Sequence, residues 1–131
     1  SVVCLEVLCY ITDFKKALSE IRRVLKPGGY ALISNPFMQH DHGDSIRLTQ
    51  TALEKELELG GFSRVEVKEY GNGHIAIWDI ARKKLTLDKT YLQRKLAFYL
   101  ILLPWLITLK IFKLDKIQDK YYTGLFVIAK K

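Results

Sequence analysis

The stretch that most constrains this chain is Leu25 to Phe37, LKPGGYALISNPF. Before it, Phe14, Ala17, Leu18, Ile21, Val24 and Leu25 recur at helical spacing, with Lys15, Lys16, Glu20, Arg22 and Arg23 on the opposite face. Asp13 stands where a helix N-cap belongs. Pro27 cannot continue the helix, and Gly28 or Gly29 can take the left-handed conformation that closes it. Tyr30 to Ser34 is then apolar and short enough for a buried strand, and Ser1 to about Val7 is another apolar run, read as buried on both faces. Strand, helix, tight turn and strand make a βαβ unit, whose strands are parallel neighbours. The fold class is α/β.

Beyond Ser34 the chain is polar and irregular to Leu48. Thr49 or Thr51 starts a second helix, and Thr51 with Glu54 has the spacing of a capping box. Ala52, Leu53 and Leu57 form its apolar stripe and Gly60-Gly61 ends it. Val65 to Tyr70 alternates as a half-exposed strand, Gly71-Asn72-Gly73 makes a turn, and His74 to Ala81 is expected to be helical. Tyr122 to Lys131 reads as a closing strand. The expected organisation is a sheet domain over residues 1–81, a basic and apolar helical insertion over 82–121, and a last strand of the same domain over 122–131.

Charge divides the chain along that boundary. Residues 1–81 hold nine Lys/Arg against eleven Asp/Glu, and residues 82–131 hold twelve against three Asp. The basic part surrounds LAFYLILLPWLITL, Leu96 to Leu109, which has no charged residue. As a helix this stretch is about 21 Å long at 1.5 Å per residue, short of the roughly 30 Å hydrocarbon core, and Pro104 is expected to kink it. Arg94 and Lys95 precede it, and Lys110, Lys113 and Lys116 follow. Two readings stand. One is an in-plane anchor on an anionic membrane surface through residues 94–116, with Tyr99 and Trp105 at the headgroups. The other is a buried helical lid over an acceptor pocket. The chain has no RNA-binding aromatic motif or zinc-finger spacing, and no nucleic-acid partner is expected. Cys4 and Cys9 lack CxxC spacing and fit structural thiols in a reducing compartment.

Four segments in order carry a resemblance. SVVCLEVLCYITDFKKALSEIRRVLKPGGYALISNPF resembles the region of strands four and five in class I S-adenosylmethionine-dependent methyltransferases. DSIRLTQTALEKELELGGFSRVEVKEY resembles the helix and sixth strand that follow, and YYTGLFVIAKK the seventh strand. The resemblance implies a partial Rossmann-like sheet of order 4-5-7-6, its last strand antiparallel, with the apolar helical insertion before that strand. It implies S-adenosylmethionine as cofactor and a small-molecule or lipid-linked methyl acceptor. The chain is expected to be a fragment, without the Gly-rich turn and acidic residue of the earlier strands, and so to bind the cofactor weakly alone. The expected location is cytoplasmic, with a peripheral position at the inner face of a membrane if the anchor reading holds.

Ligands of parallel α/β sheets bind beyond the carboxyl ends of the strands. By the resemblance, Leu5, Glu6, Val7 and Leu8 flank the methionine end of the cofactor, while Tyr10, Asn35, Pro36 and Phe37 line the acceptor side. Tyr10 stands where many relatives carry His. His40-Asp41-His42-Gly43-Asp44 is read first as a polar surface loop; His40, His42 and Tyr10 are the candidates for acid–base work, and no metal is expected. His74 is read as structural. Rival readings are another Rossmann-type enzyme, such as a nicotinamide-dependent oxidoreductase, and a non-catalytic membrane-associated scaffold.

Overall fold

The computed structural model describes residues 1–39, 41–116 and 121–131. They form two compact units: one of residues 1–37, 41–70 and 124–131, the other of residues 71–116 and 121–123 with residues 38 and 39.

The first unit is built on a sheet. Its strands are β1 (Val2–Leu5), β2 (Tyr30–Pro36), β3 (Arg64–Tyr70) and β4 (Gly124–Lys130), and its helices are α1 (Phe14–Val24) and α2 (Gln50–Leu59). Among the described residues the strand order is β1-β2-β4-β3. β1 and β2 are parallel, with Cys4 opposite Ile33 and Leu5 opposite Ser34. β4 runs antiparallel to both β2 and β3. With β1 counted as strand four, this is the expected 4-5-7-6 order with its last strand reversed.

The βαβ connection forms as its residues dictate. Asp13 accepts the Lys16 amide at 3.0 Å and caps α1. Gly28 takes a φ of +73°, which a side chain would oppose. The last carbonyls of α1 are met by Lys131, whose Nζ donates to Leu25 O at 2.6 Å and to Arg23 O at 3.3 Å. α1 and α2 are joined on one side of the sheet by Lys15–Glu56 and by Arg22 Nε donating to Gly61 O. Leu18, Leu25, Leu53, Leu57 and Phe62 bury there with Ala31, Ile33, Leu125, Val127 and Ala129. Period-two alternation gives those strand residues a common face.

Three local expectations are corrected. β1 is an edge strand whose second face lies open, so Val3 and Leu5 are 61% and 49% exposed and the strand is not buried on both sides. It also ends at Leu5, because Glu6 takes a left-handed φ of +55° and leads into a 3-10 turn over Leu8–Tyr10. Thr49 caps α2 by accepting the Ala52 amide at 3.3 Å, whereas Thr51 already lies inside the helix.

The second unit is helical. α3 (Gly73–Thr86) is capped by Asn72, whose Nδ2 also donates to Asp115 O at 2.9 Å. The boundary expected at residue 82 falls inside this helix. Thr90 and Gln93 form a reciprocal capping box at the start of α4 (Tyr91–Ala97). A π-helical segment over Phe98–Leu102 joins it to α5 (Leu103–Ile111) with helical backbone angles throughout. The chain stays helical through Pro104, which sits in the first turn of α5, just after that wider turn. Leu102 and Leu109 are buried, while most of the other large apolar side chains here are exposed, so the segment is not a buried helix. None of the described helices is long and apolar enough to cross a membrane.

Candidate functional site

The carboxyl ends of β1 and β2 lie side by side, and the segments that follow them form one rim of the first unit. Its centre is Glu6. With a positive φ, Glu6 turns out of β1 and donates its own amide to Ser34, at 3.0 Å to Oγ and 3.2 Å to the carbonyl oxygen. Its carboxylate accepts the Ser34 hydroxyl at 2.7 Å and the Tyr70 hydroxyl at 2.9 Å, both on Oε1. Tyr70 arrives from β3, at the far edge of the sheet, by lying over Gly124, where a Cβ would run into its ring. One carboxylate therefore collects groups from β2 and β3 at the end of β1. A non-glycine residue held in the left-handed region is costly, and here it is held by these four hydrogen bonds together with the Cys9 thiol, which donates to Glu6 O at 3.6 Å.

The next shell is the loop after β2. Arg47 donates to the Phe37 carbonyl at 2.8 Å and grips Asp44 with both Nε and Nη2. That charged hydrogen bonding holds the Asp44 carboxyl well below the usual carboxylate range and raises the Arg47 guanidinium. The Ser45 and Ile46 amides donate to Cys9 O at 2.7 and 3.1 Å, fastening this loop to the one that follows β1. Cys9 is fully buried, and burial followed by the nearby Glu6 carboxylate pushes its thiol up. A buried thiol with a raised pKa is little ionised at neutral pH, and here it donates to the Glu6 carbonyl.

The residues read from the sequence are distributed as follows. Leu5 and Val7 are partly exposed on either side of Glu6, and Leu8 is fully buried, so its side chain belongs to the core. Tyr10 is half exposed at the end of the 3-10 turn. Asn35 is fully buried; its Nδ2 donates to Pro36 O at 3.0 Å, and its Oδ1 has no partner among the described residues. Pro36 closes β2 opposite Gly124, and Phe37 follows, half-buried. His42 is exposed in a turn closed by Gly43 N donating to Asp41 at 2.7 Å. His40 lies outside the described residues. Among the described residues, no group of three His, Cys, Asp or Glu is placed to hold a metal ion. His74 begins α3.

Sequence reasoning missed Ser34, Arg47 and Tyr70. Only Arg47 had a local signal, the Asp-x-x-Arg spacing after a glycine turn. Tyr70 meets Glu6 across 64 residues, a distance that local pattern cannot bridge.

Arranged this way, the rim can fix a ligand between two strand ends and present backbone and hydroxyl groups to it. A methyltransferase domain family matches residues 1–33. Trans-aconitate 2-methyltransferase of Deinococcus radiodurans is 37% identical over 67 residues, which cover 51% of this chain and 24% of that protein. The chain thus spans about a quarter of the curated relative it matches. A S-adenosylmethionine-dependent methyltransferase from Archaeoglobus fulgidus superposes on 99% of this chain and 58% of its own, with TM-score 0.56 and 18% identity. Phosphoethanolamine N-methyltransferase 2 of Haemonchus contortus, in complex with S-adenosyl-L-methionine, covers 99% of this chain and 32% of its own, with TM-score 0.52 and 22% identity. At these identities the two structures speak for the fold. Sequence match and sheet order agree: residues 1–33 match a methyltransferase domain family, and the four described strands share the fold of S-adenosylmethionine-dependent methyltransferases.

Proposed function

We propose that this chain supplies the acceptor-side half of a methyltransferase that moves the methyl group of S-adenosylmethionine to a small-molecule or lipid-linked acceptor. The observation that carries this reading is the pair of adjacent parallel strand ends, with Glu6 turned outward by its left-handed backbone and fixed by Ser34 and Tyr70. When bound, the cofactor supplies a methyl carbon already activated by its sulfonium. The protein's task is proximity and alignment, which account for roughly 7–11 kcal/mol of barrier in favourable systems.

The residues present fit one end of such a ligand. Leu5, Glu6 and Val7 would border the methionine portion, with the Glu6 side chain kept out of the way by its two hydroxyl partners. Leu8 would support this turn from the core. On the acceptor side, the buried Asn35 Oδ1 is a hydrogen-bond acceptor still to be satisfied, and a ligand N–H or O–H would satisfy it. Pro36 and Phe37 would line the same wall, with Tyr10 at its mouth. Tyr10 or His42 would hold a proton only for an acceptor that must lose one; His40, outside the described residues, stays a candidate for the same role. The helical unit is read as an insertion between strands six and seven. The trans-aconitate and phosphoethanolamine enzymes act on small polar molecules by name, which supports a small acceptor. Cytoplasmic placement is part of the same proposal.

The four strands described here present only one side of a cofactor cleft, so the 131-residue chain alone is expected to bind S-adenosylhomocysteine weakly and to be inactive. Titration calorimetry with S-adenosylhomocysteine and with NAD tests the reading on the full-length protein. Binding of the first and not the second supports it. Binding of NAD alone would turn the reading to an oxidoreductase, and clean absence of both, in folded protein, to a scaffold.

A further inference from the structure

The helical unit carries an apolar stripe on its outside. Leu92, Leu96 and Leu100 recur every four residues, and Ile107 and Ile111 repeat that spacing on α5. Leu100 and Ile107 are seven residues apart, two helical turns, so the second set continues the face of the first. These side chains are 66%, 51%, 70%, 49% and 68% exposed, whereas a globular helix turns such a stripe inward. At 1.5 Å per residue the row from Leu92 to Ile111 is about 28 Å long. Tyr91 and Tyr99 stand exposed along it.

Charge identifies the occupant. Residues 71–116 hold nine Lys/Arg and three Asp. Lys95 and Lys110 fall one residue before Leu96 and Ile111, on the same flank of the row. Lys110 pairs with Asp115, while Lys95 lies 5.4 Å from the centre of the Tyr91 ring. Among the described residues, neither Lys95 nor Lys113 is matched with a carboxylate. A second copy of the chain docked two-fold on this stripe would bring these cations against their own kind. An anionic lipid surface would neutralise them and cover the apolar row at once.

We propose that α4, the π turn and α5 form an in-plane docking surface for an anionic bilayer, with Leu92, Leu96, Leu100, Ile107 and Ile111 in the acyl boundary and Lys95, Lys110 and Lys113 at the lipid phosphates. The proposal is independent of the methyl-transfer reading. Its test is flotation of the complete chain with phosphatidylcholine vesicles, with and without phosphatidylserine, at low and high salt. The chain floats with the phosphatidylserine vesicles and is released by salt. Leu100→Glu weakens binding by roughly tenfold or more. Lys95→Glu with Lys113→Glu abolishes the preference for phosphatidylserine, also by roughly tenfold. All these positions are exposed, so circular dichroism should match the wild type. Folded wild-type chain that stays at the bottom with both vesicle types overturns the proposal. So does concentration-dependent self-association that Leu100→Glu abolishes without any vesicle binding, which would make the stripe a contact between copies.

Discussion

The Tyr70 hydroxyl donates to the Glu6 carboxylate at 2.9 Å, joining the end of one edge strand to the turn that follows the other. Ser34, on β2 beside β1, completes the latch at 2.7 Å. Its role is to hold a left-handed residue at the rim where the ligand is expected, so the latch should matter more for binding than for folding. Tyr70→Phe is predicted to cost about 1 kcal/mol of stability, the net worth of an ordinary hydrogen bond. On the proposed reading it should also weaken S-adenosylhomocysteine binding several-fold. A double-mutant cycle with Glu6→Gln reads the coupling; fully additive urea midpoints would mean that the two side chains do not act together.

Gly124 makes that latch sterically possible. A Cβ there would collide with the Tyr70 ring, although Gly124 itself has ordinary strand geometry. Gly124→Ala should therefore expel the ring and destabilise the chain by roughly 1–3 kcal/mol, as overpacking does. In a Tyr70→Ala background the same substitution should cost almost nothing, because the space has been vacated. An equal cost in both backgrounds would trace the effect to the backbone of β4 instead.

The sheet was legible in the sequence because each of its instructions is local. Asp13 caps, Pro27 and Gly28 stop the helix, and Tyr30 to Ile33 supplies an apolar run; neighbouring residues decide each of these. The reversed last strand came from the resemblance of Tyr121–Lys131 to a known position, not from periodicity. The candidate site was only half legible. Glu6 could be located by its place after a strand, but its partners come from 28 and 64 residues away. The limits of β1 were misread for a related reason. Apolarity signals that a strand could be buried on two faces, and only its neighbours decide whether both are covered.

The start of α2 offers a sharper test of local coding. Thr49 and Thr51 look equivalent in sequence, yet only Thr49 has the extended backbone of a cap and accepts the Ala52 amide. Thr49→Ala should lower stability by about 1 kcal/mol. Thr51→Ala, at an exposed helical position, should be neutral or slightly stabilising, since alanine is the better helix former. Thermal or urea unfolding of the two variants distinguishes them, and a larger loss from Thr51→Ala would contradict the assignment.

Acid sensitivity should concentrate at Asp44. In the native chain Arg47 donates two hydrogen bonds to its carboxylate, which holds its pKa well below that of an unpaired aspartate. In the unfolded chain the same group titrates near its ordinary value, about 3.9. Between those two values the unfolded state binds the extra proton, so acid favours unfolding. The pair's contribution is complete above the unfolded value and is lost as pH falls toward the native one. Asp44→Asn removes that titration while keeping the shape of the side chain. The wild type should exceed the variant in urea midpoint at pH 7, and the gap should close as pH drops through 4 toward 3. Other carboxylates titrate equally in both proteins and cancel in the difference. A gap that stayed constant from pH 7 to 3 would show that Asp44 keeps its proton equilibrium unchanged on folding, and that Arg47 holds the loop through the Phe37 carbonyl alone.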